Sequence, residues 1–143
     1  MTDDKDSYKD VSVLVVEDEL TTRTTIKTIL RHIGIPTITE AADGRAGLAE
    51  LARTRPTLVL CDVHMKPVDG RQFLKMVRTT KVDWVKNIPI IFLTADANTD
   101  TVSFAREFQV NGYLVKPVSL GDVRSRIDAV LKTLGRSARS QGL

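Results

Sequence analysis

The feature that most constrains this chain is a short apolar segment that ends on a carboxylate. Residues 57–61 (Thr-Leu-Val-Leu-Cys) follow Pro56 and run directly into Asp62, and a turn rich in proline, aspartate and glycine comes next. A short apolar run between turn signals is typical of a fully buried strand. We therefore expect Asp62 at the carboxyl end of a central parallel strand, where open α/β sheets place their binding sites. This segment alone leaves open the alternative that Asp62 only caps the following turn.

Similar apolar segments alternate with amphipathic ones along the whole chain. Strands are predicted at residues 11–16, 35–40, 57–61, 88–93 and 112–115. Helices are predicted where apolar residues recur on one stripe, at residues 20–33, 45–54, 71–80, 99–108 and 120–134. This alternation of five strands with five helices predicts an α/β fold, a doubly wound parallel sheet that is covered on both faces.

Length and composition bound the class of protein. The chain has 143 residues, 42% of them hydrophobic, which suits one globular domain. We place that domain at residues 11–134, between a polar N-terminal tail (1–10) and a basic flexible C-terminal tail (135–143). The net charge of +3 arises from dispersed basic residues, so the domain itself is not expected to bind nucleic acid. No apolar run approaches the ~20 residues that span a membrane, and the single cysteine, Cys61, suits the reducing cytoplasm.

Polar side chains follow four of the predicted strands: Glu17 and Asp18, Asp62, Thr94, and Lys116. In a right-handed doubly wound sheet the carboxyl ends of all strands open on one edge, so these groups should converge there. Three clustered carboxylates repel each other unless a cation neutralises them, and Mg²⁺ suits a site with few carboxylates. Asp62 could then attack phosphorus as a nucleophile, while Thr94 and Lys116 contact the phosphoryl oxygens.

Further residues complete a pattern that resembles the response-regulator receiver domain. They are Met65, Asp69-Gly70, Ala95, and Tyr113 three places before Lys116-Pro117. The resemblance covers almost all of the predicted domain. It implies a CheY-like, flavodoxin-like fold with the strand order 2-1-3-4-5 and a role in two-component, phosphorelay signal transduction.

The resemblance also implies how the acidic residues act. Asp62 would accept a phosphoryl group from a sensor histidine kinase or a histidine phosphotransfer protein. Glu17, Asp18, Asp62 and the backbone carbonyl of His64 would hold Mg²⁺. The chain would catalyse only its own phosphorylation and dephosphorylation, and would not be an enzyme that turns over a separate substrate.

Other residues would report the phosphorylated state to a partner. By resemblance, Thr94 and Tyr113 would form the switch pair, Lys116 would contact the phosphoryl group, and Pro117 would follow it in a cis peptide. The output surface would be the face built by the fourth predicted helix, the fifth strand and the fifth helix. No effector domain follows in this sequence, so a separate effector protein is expected to bind that face.

The chain departs from the family pattern at one position after the phospho-acceptor, and it has two residues that are candidates for tuning the lifetime of the phosphoryl group. The proline that often follows Met65 is here Lys66, with Pro67 one place later. His64 and Asp96 each lie two residues beyond a site residue, and we expect both to set the lifetime of the phosphoryl group.

Two other classes of protein share this architecture. A flavodoxin-type carrier is disfavoured because Glu17-Asp18-Glu19 would repel the phosphate of a bound FMN. A metal-dependent phosphatase with an aspartyl nucleophile is a better alternative, since the acid–base partner of such an enzyme stands two residues after the nucleophile, and that position here holds His64, a residue type that serves as a general acid or base. Such an enzyme, however, has no need of Lys116-Pro117 or of the pair Thr94 and Tyr113.

Overall fold

The computed structural model describes residues 8–95 and 99–135, which form a five-stranded parallel sheet in the order β2-β1-β3-β4-β5. The strands are β1 Ser12–Val16, β2 Thr37–Ala41, β3 Leu58–Asp62, β4 Ile90–Thr94 and β5 Gly112–Val115. The helices are α1 Leu20–Ile33, α2 Gly44–Thr54, α3 Gly70–Arg78, α4 Asp83–Lys86, α5 Thr99–Glu107 and α6 Leu120–Thr133. The predicted fold class and strand order are confirmed.

The central strands are buried on both faces, which explains why they read as continuous apolar runs. Every residue of β3 and of β4 is buried. Alternate residues of the strands point to opposite faces, so each face of the sheet has its own core. One core lies under α1 and α6 and includes Val13, Val15, Leu58, Leu60, Ile91, Leu93, Ile127 and Val130. The other lies under α2, α3 and α5 and includes Leu14, Val16, Val59, Cys61, Phe73, Leu74, Phe92 and Ala105.

The predicted elements differ from the observed ones mainly at their ends. The second strand begins at Thr37 and not at residue 35, because Ile35 still bonds back to the last turn of α1: its N–H donates to the carbonyl of Leu30 at 3.0 Å. Gly34 precedes it in the left-handed region, with φ of 107°. This is the glycine-terminated helix end in which residues beyond the last turn still bond back to it.

One helix was not predicted. α4 has only four residues, and Trp84 and Val85 are its only members that pack against the core. A single turn is too short to show an apolar periodicity, so the five predicted helices become six in the described part of the chain.

The prediction of a solvated tail over residues 1–10 is wrong at Tyr8. This side chain is buried in the core beneath α6, and its hydroxyl donates to Oδ1 of Asp128 at 2.6 Å. The apolar body of a tyrosine can fill a core while its hydroxyl finds a polar partner at the margin. Residues 1–7 and 136–143 lie outside the described residues, so most of both predicted tails does too.

The turn between β3 and α3 keeps the spacing of the predicted motif. Asp69 begins α3 through a capping box, in which its carboxylate accepts from the N–H of Gln72 and the Gln72 side chain accepts from the N–H of Asp69. The Lys66–Pro67 and Lys116–Pro117 peptides are both cis. The second of these was expected, and the first lies at the departure noted in the sequence.

Within residues 8–95 and 99–135, no helix is both long and apolar enough to cross a membrane.

Candidate functional site

The carboxyl ends of β1, β3 and β5 bring three carboxylates and one ammonium together, as the strand-end argument predicted. Carboxylate oxygens of Glu17, Asp18 and Asp62 lie within 4.8 Å of one another. The ammonium of Lys116 lies between two of them, with Nζ 2.8 Å from Oε1 of Glu17 and 3.1 Å from Oδ1 of Asp62. The cluster is therefore an acidic pocket closed on one side by a single cation.

The backbone around Glu17 holds its carboxylate in this pocket. The N–H of Glu17 donates to the carbonyl of Ala41 at 3.0 Å, and the N–H of Glu19 donates to Oε2 of Glu17 at 3.2 Å. From the other side, Nη1 of Arg23 donates to the carbonyl of Glu17 at 2.7 Å. Glu17 is 1% exposed, whereas Asp18 beside it is exposed to solvent. The pocket thus has a buried wall and an open mouth.

Arg23 is a contributor that sequence reasoning missed. Besides its bond to Glu17, its Nε pairs with Oε1 of Glu40 at 2.7 Å, and Lys27 pairs with the same carboxylate. The guanidinium therefore ties the turn after β1 to the end of β2. Its position in the first turn of a threonine-rich helix was the available signal, but the partner on β2 cannot be read from spacing alone.

Burial and charge shift the titration of the groups in the pocket. Burial raises the pKa of Glu17 above its usual value, and the hydrogen bond from Lys116 only partly opposes this. Burial alone would lower the pKa of Lys116, but its hydrogen bond to Glu17 and the negative charges of Asp62 and Glu17 together raise it. Lys116 is therefore a firmly protonated ammonium.

Charge and donor chemistry make the pocket suitable for a hard metal ion. Three carboxylates against one ammonium leave an excess of negative charge, and the donors that face each other are all oxygen atoms. Mg²⁺ and Ca²⁺ are the cations that prefer such ligands. The residues present are thus able to hold a divalent cation at the open mouth formed by Asp18.

Thr94 and Tyr113 lie on adjacent strands beside this pocket. Thr94 is fully buried as the last residue of β4, and its carbonyl accepts from the N–H of Lys116 at 2.8 Å. The Tyr113 ring is partly buried and meets Phe92 edge-on, with centroids 6.4 Å apart. Its hydroxyl donates to the carbonyl of Val102 on α5 at 3.4 Å. Tyr113 thus links the strand that leads into Lys116 with a helix of the outer layer.

The structure describes one of the two candidate tuning residues. His64 is exposed on the turn that follows Asp62. Asp96 lies outside the described residues, together with residues 97 and 98.

Gly70 shows why the turn after β3 requires a glycine. A Cβ at this position would lie 2.2 Å from the carbonyl oxygen of Asp62. The sequence motif identified Asp69-Gly70, but it did not show that the first residue of α3 rests directly on the backbone of the candidate nucleophile.

The sequence profile of the response regulator receiver domain matches residues 13–128 of this chain. The chain belongs to the response regulator receiver domain family. Receiver domains are signalling proteins, and this family works in two-component systems.

Individual relatives agree with this assignment. The chain is 30% identical over 126 residues to chemotaxis protein CheY-3 of Vibrio cholerae, with 88% of this chain and 95% of that protein covered. The structure of chemotaxis protein CheY4 of Vibrio cholerae superimposes with a TM-score of 0.71 at 30% identity, covering 89% of this chain and 98% of that one. The receiver domain of a Pseudomonas aeruginosa sensor histidine kinase, solved with a magnesium ion coordinated in its active-site cleft, gives a TM-score of 0.72 at 28% identity, over 80% of this chain and 92% of that one.

Proposed function

We propose that this protein is a response regulator that accepts a phosphoryl group on Asp62 and thereby switches a surface that binds a partner. The observation that carries the proposal is the ion-pair geometry of the pocket. Nζ of Lys116 bridges Glu17 and Asp62 at 2.8 and 3.1 Å, with Asp18 in the same cluster. This geometry suits phosphoryl transfer, which relies chiefly on positioning and on neutralising charge. Membership of the receiver domain family supports the same conclusion.

Asp62 is the nucleophile in this proposal. One of its carboxylate oxygens forms a bond to phosphorus while the bond from phosphorus to the donor group breaks, and the donor group leaves with that electron pair. The donor is the phosphorylated imidazole of a sensor histidine kinase or of a histidine phosphotransfer protein. Asp62 is 4% exposed, so the donor has to approach from the open mouth of the pocket, where Asp18 is exposed.

Three carboxylates and one carbonyl would hold Mg²⁺ at that mouth: Glu17, Asp18, Asp62 and the backbone carbonyl of His64. The ion would neutralise the negative charge that the incoming phosphoryl oxygens add to the pocket. The Pseudomonas aeruginosa receiver domain with magnesium in its cleft supports this choice of metal. Lys116, which stays protonated, would exchange its contact with Asp62 for one with a phosphoryl oxygen.

The switch would begin at Thr94 and Tyr113. The Thr94 hydroxyl donates to a phosphoryl oxygen, which draws the side chain toward Asp62 and makes room for the Tyr113 ring. The hydrogen bond from Tyr113 to Val102 is long, at 3.4 Å, so little is lost when it breaks. The partner surface would be the face formed by α5, β5 and α6, on which Val115 and Leu120 are exposed.

The remaining expectations belong to the same proposal. His64 and Asp96 border the path of the water that hydrolyses the acyl phosphate and so set its lifetime. We place the functional domain at residues 11–134 and its site of action in the cytoplasm, with an effector protein as the output partner.

Incubation with acetyl phosphate and Mg²⁺, followed by intact mass measurement, tests the proposal. Wild type should gain one phosphoryl group, and Asp62→Asn should gain none. Asp83→Asn is a matched control, because it removes an exposed carboxylate of α4 outside the pocket, and it should label like wild type. If Asp62→Asn is labelled as well as wild type, Asp62 is not the acceptor. Turnover of small phosphomonoesters by wild type would instead favour the phosphatase alternative.

A further inference from the structure

We infer that Gly44, at the start of α2, is a positioning residue for Asp62, an inference that rests on the proposed function. Gly44 is buried, and its N–H donates to the carbonyl of Val68 at 2.9 Å. A Cβ at residue 44 would lie 2.6 Å from Cγ1 of Val68, 2.7 Å from its carbonyl oxygen and 3.0 Å from its Cβ. The bare backbone of α2 therefore sets where the turn between β3 and α3 can lie.

The other end of the same turn, at Gly70, contacts the backbone of Asp62. Val68 is followed by Asp69, and then by Gly70, whose N–H donates to the carbonyl of Val63 at 2.9 Å. A Cβ on Gly70 would approach the Asp62 carbonyl oxygen to 2.2 Å and the Val63 Cα to 2.8 Å. Gly70 and the backbone of Asp62 are thus in direct contact. A contiguous path of backbone contacts runs from Gly44 through Val68 and Gly70 to Asp62.

Helix α2 cannot easily move away to relieve a clash at residue 44. Its next turn packs closely on the core at Gly47, where a Cβ would lie 3.1 Å from the Val16 side chain and 3.2 Å from the Phe73 ring. Its first turn is capped by Asp43, which accepts from the N–H of Ala46 at 2.9 Å. A methyl group on residue 44 must therefore displace the turn at Val68, and the displacement passes to Asp62.

Gly44→Ala tests this inference without a conformational penalty. Gly44 is not among the residues with positive φ, and alanine has a higher helix propensity than glycine. The substitution therefore mainly adds the clash. Substituting a residue that orients a metal ligand without binding the metal itself typically lowers metal affinity by about 10–100-fold. We expect Mg²⁺ affinity, measured by titration calorimetry, to fall about tenfold in Gly44→Ala, with an unchanged circular dichroism spectrum.

The ratio of Mg²⁺ to Ca²⁺ affinity separates positioning from general support of the fold. Mg²⁺ demands near-ideal octahedral geometry, whereas Ca²⁺ accepts a flexible ligand set. A displaced Asp62 should therefore lower the affinity for Mg²⁺ more than that for Ca²⁺. Gly121→Ala is the matched control, because nothing lies within 4 Å of a Cβ at that position, and it should leave both affinities unchanged.

A second variant keeps the test decisive if Gly44→Ala folds poorly. Adding Val68→Ala removes the closest of the three contacts and leaves those to the carbonyl oxygen and to Cβ. The double variant should therefore fold and bind Mg²⁺ with an affinity between those of wild type and Gly44→Ala. Wild-type Mg²⁺ affinity in Gly44→Ala, or an equal fall in affinity for both ions, overturns the inference and leaves the proposed function intact. If wild type itself neither binds Mg²⁺ nor accepts a phosphoryl group, the proposed function fails instead.

Discussion

The Glu17 carboxyl is buried beside two other carboxylates, and this costs stability when no metal ion is bound. Burial raises its pKa above the usual 4.5, the charge of Asp62 adds to the rise, and the hydrogen bond from Lys116 opposes it. A carboxyl with a higher pKa in the folded protein binds more protons when folded than when unfolded. The free energy of unfolding therefore falls as the pH rises from about 4.5 through the folded pKa.

Glu17→Gln should accordingly stabilise the metal-free protein at pH 7. We expect a gain on the order of 1 kcal/mol, or about 3 °C in Tm, and a smaller gain at pH 4, where wild-type Glu17 is largely protonated. Thermal denaturation in EDTA at both pH values measures this. Glu50→Gln serves as the control, because the Glu50 carboxylate pairs with Arg53 on the surface, outside the pocket, and a shift within ~0.5 kcal/mol is expected. A lower Tm for Glu17→Gln at pH 7 would contradict the account.

At the scale of single residues, the sequence predicted which groups converge but not what holds them. Glu17, Asp62 and Lys116 could be placed together because parallel strand ends share one edge of the sheet. Arg23 and Gly44 were missed, since their contacts with Glu17 and Val68 depend on distances between elements. Such distances follow from packing and not from local sequence patterns.

Arg78, at the end of α3, connects several elements through one guanidinium. Its nitrogens donate to backbone carbonyls and to one side-chain amide at 2.8–3.1 Å, and the acceptors are Lys86, Ile88, Phe108, Gln109 and the Asn111 side chain. Burial lowers the pKa of Arg78 to about 10. Among the described residues no carboxylate forms an ion pair with it. Arg78 therefore fixes the carboxyl ends of α4 and α5 relative to α3.

Arg78→Lys should destabilise the protein although the charge is kept. A lysine ammonium is a compact group that cannot reproduce the planar fork, and each buried acceptor left without a donor costs ~1–3 kcal/mol. We expect a loss of about 3 kcal/mol in urea denaturation. Arg53→Lys, on the exposed side of α2, should change stability by less than ~0.5 kcal/mol. Equal stability of the two variants would show that Arg78 does not hold the ends of α4 and α5 against α3.

At the scale of elements, hydrophobic periodicity predicted the five strands and the five longer helices. Their ends were less predictable, because they depend on single hydrogen bonds such as that from Ile35 to Leu30. The short helix α4 was missed because one turn carries no periodic signal. Tyr8 was assigned to a polar tail because its neighbours are charged, although its ring packs under α6.

At the scale of the whole molecule, the helices that cover the sheet bury different amounts of apolar surface. α3 buries Phe73, Leu74 and Val77, whereas α5 has a small alanine, Ala105, as its fully buried apolar residue among the side chains described. The carboxyl end of α5 is held by Arg78 through the carbonyls of Phe108 and Gln109. A helix with little buried apolar surface shifts at low cost, so α5 should move at its amino end, next to Thr94.

Hydrogen exchange with and without beryllofluoride, a mimic of the phosphoryl group, measures this movement. Protection should change mainly within residues 94–120, around Thr94 and Tyr113, because the mimic biases a two-state element there. The exchange of α1 and α2 should change little. Changes confined to α1 and α2 would place the switch elsewhere and exclude the proposed pair.

The central claim, that Asp62 forms an acyl phosphate, is tested most directly by locating the modified residue. Borohydride reduces an aspartyl phosphate to homoserine, which tandem mass spectrometry assigns to one position in a peptide. After treatment with acetyl phosphate and Mg²⁺, we predict homoserine at position 62 and none when Mg²⁺ is removed with EDTA. Homoserine at position 18, or a labelled protein with no homoserine at all, would contradict the assignment of Asp62 as the phospho-acceptor.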